Sequence, residues 1–340
     1  MSRGVRFGVA RPPRLGDDFV AWIEHAERCG AQLFGFGDSQ TMWPDPYVGM
    51  TLAAEHTSSA RIGPMVTVPV TRHPSVAAAA IAGIQQVSRG RAYFGIGPGD
   101  SAAYNIGVPS VRMAALEEYA LAVRDLCSPA HVAHYQGREL LMNWDAAPVP
   151  VWIAGDGPKM LELGGRIGDG VIVGNAATPE LVRWAREHIA AGAASAGRDV
   201  DDLEVWCMVR VHVTDSVEQG IEDLGFYLAS YANVRFRRSM RDKGVPVDDD
   251  VAERLQRFRD SWDGRQAYDP ANRHNLDLLD ELGLTRWLAD QFLVTGPLDL
   301  VLERLQALVD AGARNIVVPQ MLADPIATTT RLRPVIDAFA

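Results

Sequence analysis

Short apolar runs rich in β-branched and aromatic residues alternate with stretches of helical periodicity along almost the whole chain. Residues 5–10 read as a strand, followed by a helix over 17–29 with Phe19, Val20, Ile23 and Ala26 on one face. Strands are then expected at 33–37, 61–68, 91–97, 149–154, 170–174, 203–213 and 315–320. The intervening helices fall at 47–57, 74–87, 112–126, 158–167 and 179–194, with a closing helix at 326–339. Pro74 and Pro158 suit a first helical turn, where the missing N–H costs nothing. Runs such as Val171-Ile172-Val173 and Ile316-Val317-Val318 do not alternate, as expected of strands buried on both faces. Eight strands, each followed by a helix, is the count of a (β/α)8 barrel.

A barrel of this kind takes about 250 residues, and the surplus here lies mainly between the seventh and eighth strands. Residues 220–290 are helical and charged and carry Trp262 and Trp287, with loops at Gly244-Val245-Pro246 and Tyr268-Asp269-Pro270. They read as a helical excursion of a single barrel domain spanning 1–340. A doubly wound dinucleotide fold competes through Gly97, Gly99 and Ala102, which match G-x-G-x-x-A. The fingerprint needs a helix directly behind it, and Tyr104-Asn105-Ile106-Gly107-Val108-Pro109 reads as a loop, so the barrel is preferred.

Composition narrows the partners. The 340 residues carry 33 Lys and Arg against 43 Asp and Glu, a formal charge of −10. Such a chain has little attraction for phosphate backbones or anionic lipid, which argues against nucleic acid and membrane surfaces. No apolar run approaches the ~18 residues of a membrane-spanning helix. The opening segment reaches Arg11-Pro12-Pro13 too soon for a secretory signal. Cys29, Cys127 and Cys207 are widely spaced and odd in number, as small core residues of a cytoplasmic protein would be.

In a (β/α)8 barrel the chemistry gathers at the carboxyl ends of the strands. Two glycine-rich turns stand there, Gly97-Pro98-Gly99-Asp100 and Ala154-Gly155-Asp156-Gly157, the second entering a helix through Pro158 and Lys159. Amides at such turns suit an anion, so together they point to a phosphate-bearing cofactor, with Lys159 as an added charge. His73 fits helix capping, and His212 fits a hydrogen-bonded buried ring. His131 and His134 lack further ligands for a metal. Met42, Trp43 and Tyr47 suit either a lip over the pocket or packing beneath a loop. Arg235, Arg237, Arg238, Arg241 and Lys243 form a cationic run read first as a solvated helix face.

The segment Ile62-Gly63-Pro64-Met65-Val66-Thr67-Val68-Pro69-Val70-Thr71-Arg72-His73-Pro74 resembles the signature of the bacterial-luciferase-like oxidoreductases. Ser88-Arg89-Gly90-Arg91 leading into Gly95-Ile96-Gly97-Pro98-Gly99-Asp100 is similar too. With Ile153-Ala154-Gly155-Asp156-Gly157-Pro158-Lys159 and Ile167-Gly168-Asp169-Gly170, the chain most resembles the methylenetetrahydromethanopterin reductase branch. The resemblance implies coenzyme F420, or alternatively FMN, with hydride transfer at the ring to or from a small organic substrate. It also implies a cis peptide at Met65–Val66 behind the ring and a role for Thr67 beside it. Asp38 would then meet the ring's polar edge, and Asp38 and Ser39 would orient the ring or pass a proton. Gly97 to Asp100 and Ala154 to Gly157 would hold the ribityl and phosphate portion, with Gly174 and Asn175 nearby. Ser39 stands where several F420-dependent members carry His, and a serine has no titration near neutrality. That departure keeps a reduced-FMN monooxygenase open, and a non-catalytic binding protein on the same fold is the reading from outside enzymology. A homodimer through the second and third helices is the family expectation.

Overall fold

A computed structural model describes the chain except residues 1–3, 17, 235–242, 244, 246 and 263–272. Most of the cationic run, Arg235, Arg237, Arg238 and Arg241, and the loop residues Gly244, Pro246, Tyr268, Asp269 and Pro270 therefore lie outside the described residues. The chain forms two compact units, one of Met1–Gly174, Ala185–Cys207 and Arg314–Ala340, the other of Asn175–Trp184 and Met208–Ala313.

The first unit is built on eight parallel strands: Arg6–Arg11, Leu33–Phe36, Arg61–Pro64, Phe94–Ile96, Val151–Gly155, Gly170–Val173, Glu204–Met208 and Asn315–Pro319. The last pairs with the first in register from Arg6↔Asn315 to Ala10↔Pro319. Single parallel bridges, Ile62↔Ala92 and Thr67↔Ile96, join the third to the fourth and close the ring. The strand interiors are buried without alternation because helices cover their outer faces. One end of the barrel is filled by Tyr93 stacked on Trp152 at 4.0 Å, with Trp206 beyond at 6.3 Å. Glu204 accepts from Arg6 and Arg61 there, each at 3.1 Å.

The helices behave as the sequence pattern predicts. Phe19–Arg28 turns Phe19, Trp22, Ile23 and Ala26 inward. Pro74–Val87 starts on His73, whose ring nitrogen accepts from the Ser75 amide, and buries Ala77, Ala78, Ile81 and Ala82. All three cysteines are free and buried, and burial pushes the Cys127 thiol up to about 11 and that of Cys207 to about 12. Among the described residues no helix is long and apolar enough to cross a membrane, and no cluster of His, Cys, Asp and Glu could hold a metal.

Three expectations need correction. The third strand stops at Pro64 rather than running to 68, and beyond it only the Thr67↔Ile96 bridge continues the pairing. The stretch between the helix at 112–126 and the strand at 149–154, for which no element was expected, contains an antiparallel hairpin, Val132–Tyr135 with Arg138–Leu141, turned on Gln136 and Gly137 at positive φ. The long seventh strand over 203–213 is two: Glu204–Met208 belongs to the barrel, while Arg210–Val213 lies in the second unit.

The second unit pairs Arg210–Val213 with a strand not expected from sequence, Leu293–Gly296, which the helix Leu298–Asp310 follows. Its described residues also form the helices Val217–Val234, Asp249–Asp260, His274–Glu281 and Thr285–Phe292. His212 is buried and bonded to Asp223 at 2.9 Å, the satisfied core histidine the sequence suggested. Arg210 is buried between rings, 4.4 Å from the centre of Tyr231 and 5.3 Å from that of Tyr227, and burial lowers its pKa to about 10.

Candidate functional site

The carboxyl ends of the second and third barrel strands bring together a buried polar cluster in the first unit. Asp38 follows the second strand, and its side chain is wholly covered. Its Oδ2 accepts the Thr67 hydroxyl at 2.6 Å and Arg72 Nη1. Its Oδ1 is buried with no hydrogen-bond partner. Arg72 reaches Asp38 because the third-strand segment swings across the barrel end, with the Thr67 amide on Gly95 O at 3.0 Å and the Gly97 amide on Thr67 O at 3.0 Å. Its second nitrogen, Nη2, donates to Asp45 at 2.7 Å. Asp45 in turn caps the helix Pro46–His56 through the Tyr47 amide. Burial alone would lower the Arg72 pKa, but Asp38 and Asp45 outweigh it and the net shift is upward.

Aromatic rings wall this cluster. The Arg72 guanidinium lies 5.2 Å from the centre of the Tyr47 ring, and Tyr119 donates to the Arg72 carbonyl at 2.9 Å. Burial drives the Tyr47 and Tyr119 phenols well above their ordinary value. The Tyr47 hydroxyl and the Trp43 indole nitrogen are, like Asp38 Oδ1, buried with no hydrogen-bond partner. Beneath them Met65 packs so tightly on Gly35 that a Cβ there would lie 2.8 Å from Met65 Cβ.

Ser39 is buried and shares a hydroxyl–hydroxyl bond of 2.9 Å with Ser101, and Gln40 donates to the Ala102 carbonyl at 3.1 Å. These bonds stitch the second-strand loop to the fourth-strand loop. The peptide bond between Met65 and Val66 is cis, as the resemblance implied. Val66 then packs toward Gly97, where a Cβ would sit 3.1 Å from Val66 Cγ2.

The two glycine turns follow the fourth and fifth strands. A one-turn helix, Ser101–Tyr104, precedes the loop read at 104–109, and four residues are too short for a dinucleotide fold. Asp100 does not brace this turn with its carboxylate: the side chain is exposed and makes no cap, and its carbonyl accepts from Ala103 and Tyr104 instead. Gly157 precedes the helix Pro158–Ile167 and accepts from Met160 and Leu161, both at 3.1 Å. The amides of Gly99, Asp100 and Gly157 donate to no backbone carbonyl among the described residues. Gly155 is needed for helix approach, since a Cβ would meet Met160 Cβ at 2.5 Å.

The comparisons with known proteins can be set against this geometry. A family model described as luciferase-like monooxygenase matches residues 6–315. The chain belongs to the luciferase-like monooxygenase family. The 5,10-methylenetetrahydromethanopterin reductase of Methanopyrus kandleri is 27% identical, with 92% of each chain covered. A solved structure of the coenzyme F420 dependent tetrahydromethanopterin reductase from the same organism matches the fold with a TM-score of 0.76 at 24% identity, covering 99% of this chain and 100% of that one. The F420-dependent hydroxymycolic acid dehydrogenase of Mycobacterium tuberculosis is 31% identical over 59% of this chain and 61% of its own.

Within this family member, Asp38, Ser39, Met65, Val66 and Thr67 stand together at the ends of the second and third strands. Gly97, Pro98, Gly99 and Asp100 are linked to them through Thr67 and Ser101. Ala154, Gly155, Asp156 and Gly157 follow on the fifth strand, and Gly174 closes on Asp156, where a Cβ would lie 2.7 Å from Oδ1. Asn175 is buried and falls in the second unit. Lys159 is exposed and lines a groove of about 570 Å³ with Glu162, Arg166 and Ser195, on the helical face rather than at the glycine turns. The residue that sequence reasoning passed over is Arg72. It stood inside the quoted motif, and the signal that would have marked it was a lone cation among apolar residues just past a strand end.

Proposed function

We propose that the protein is an oxidoreductase that binds coenzyme F420 and a small organic substrate. The carrying observation is similarity over nine-tenths of the chain to a reductase whose solved counterpart is described as coenzyme F420 dependent. When bound, the deazaflavin ring supplies a hydride donor and acceptor. The chain's own part is to hold that ring and exclude water around it. Met65 and Val66 back the ring, with Thr67 beside them, and Asp38 offers its spare oxygen to the ring's polar edge. Ser39 fixes the second-strand loop through Ser101 and is the hydroxyl nearest in sequence to Asp38.

The phosphate end is assigned to Gly97, Pro98, Gly99 and Asp100 together with Ala154, Gly155, Asp156 and Gly157. The spare amides of Gly99, Asp100 and Gly157 suit an anion. Gly174 adjoins this end, and Lys159 acts at most as a surface charge. We read the chain as one luciferase-like barrel domain with 220–290 as its excursion, working as a cytoplasmic homodimer that binds neither nucleic acid nor membrane. Val48 and Val76, 50% and 55% exposed on the second and third helices, supply apolar surface for the dimer.

FMN in place of F420 is the second reading. It is favoured by Ser39, which lacks the proton-transfer capacity of the histidine in several F420 enzymes, and such a protein would use reduced FMN and oxygen. Separate titrations of the purified protein with F420 and with FMN, followed by fluorescence and thermal shift, decide between them. Saturable stabilisation by F420 is expected. Stabilisation by FMN alone transfers the assignment to a monooxygenase, and stabilisation by neither overturns both.

A further inference from the structure

The two oxygens of Asp38 are treated differently. Oδ2 is held twice, by Thr67 Oγ1 at 2.6 Å and by Arg72 Nη1. Oδ1 is equally buried and held by nothing. Buried polar atoms in folded proteins are nearly always paired, so a spare carboxylate oxygen in a side chain with no exposure calls for a donor from outside the chain.

Arg72 determines where that oxygen points. Its guanidinium is pinned at both ends, Nη1 on Asp38 and Nη2 on Asp45 at 2.7 Å. Its plane lies against Tyr47, and its main chain is tied by Tyr119 at 2.9 Å. Asp45 is itself fixed as the cap of Pro46–His56. A planar fork gripped on both prongs cannot swivel, and the carboxylate on its first prong is held with it. The hydroxyl of Thr67, one residue beyond the cis peptide, fixes the same oxygen from the third-strand side.

We infer that Arg72 is a positioning residue that aims Asp38 Oδ1 at one N–H donor of the bound ring, the imide N–H that flavins and deazaflavins share. This inference rests on the proposed function and adds to it which atom of the chain recognises the ring and which residue fixes that atom. The imide places its single donor between two carbonyls. A bare carboxylate would repel those carbonyls, and the guanidinium beside Asp38 offsets that repulsion.

The test uses the full-length protein and its Arg72→Ala, Arg72→Lys and Asp38→Asn variants, titrated with oxidised F420 and with FMN, with the absorption spectrum of the bound ring recorded each time. Asp38→Asn is the sharper variant: its amide oxygen can still accept from Thr67 and Arg72, which places an NH2 donor where Oδ1 stood. Loss of one charge-assisted hydrogen bond is expected to raise Kd about tenfold or more in Arg72→Ala and Asp38→Asn, with the bound-ring spectrum moved toward that of the free ring. Lysine, a point charge that can serve one carboxylate at a time, is expected to recover part of the affinity. If Arg72→Ala does not fold, Asp38→Asn carries the test alone. Ring affinity and spectrum unchanged in Asp38→Asn overturn the inference, as does a raised KM for substrate with ring Kd unchanged, which would give Oδ1 to a substrate donor. Wild-type protein that binds neither ring overturns the functional reading and this inference with it.

Discussion

Around Asp38 the barrel end is held by charged side chains bound to one another, whereas at 97–100 and 154–157 backbone and glycine do nearly all the work. The first region spends two carboxylates, an arginine and a threonine to leave one oxygen free. The second contains no buried cation and offers amides instead. The difference suits the two ends of a ring-bearing phosphate ester. A planar ring is recognised by the direction of one hydrogen bond, which needs a rigid side chain. A phosphate accepts from any direction, so main-chain donors suffice and tolerate small shifts.

The contrast predicts that the first region breaks when a side chain is removed and the second when one is added. Asp38→Ala should have the largest effect, about 3 kcal/mol of stability by chemical denaturation, because it leaves Arg72 half-buried without one of its two carboxylates. Gly155→Ala should cost about 2 kcal/mol, since the new Cβ meets Met160 Cβ at 2.5 Å. Ser39→Ala and Ser101→Ala should each cost about 1 kcal/mol, and the double variant little more than either alone, because both remove the same bond. Lys159→Ala should change cofactor affinity least of all, by less than about twofold, if the phosphate is held by amides.

High pH separates the regions in another way. Tyr47 and Tyr119 are driven up by burial and stay neutral in the folded protein above pH 10.0, the ordinary phenol value, where the unfolded chain ionises. Their contribution is therefore complete below that pH and is lost as pH climbs beyond it. Tyr47→Phe should flatten the fall in melting temperature above pH 10.0, while Gly155→Ala should leave its slope unchanged.

Much of the barrel was legible because its strands are buried on both faces and print continuous apolar runs such as Val171-Ile172-Val173. The break after Met208 was hidden because Val209, Val211 and Val213 keep a strand-like alternation going although the strand changes sheet. Leu293–Gly296 was missed because a four-residue run ending in Thr and Gly carries little periodicity. The hairpin at 132–141 left a usable signal in Gln136-Gly137, a pair suited to positive φ, but its polar, exposed strands masked it. Of the site expectations, the cis peptide implied by the resemblance is present, and Asp38 and the glycine turns do follow strand ends. Residue types alone could not show that Asp38 has one bound and one free oxygen, because Arg72 reaches it from 34 positions away.

The most direct test is the structure of the protein crystallised with F420. The account predicts Asp38 Oδ1 within about 3.2 Å of the ring's imide nitrogen, and the phosphate against the amides of Gly99, Asp100 and Gly157. A ring whose imide edge faces away from Asp38, with a water or a protein side chain on Oδ1, would contradict it.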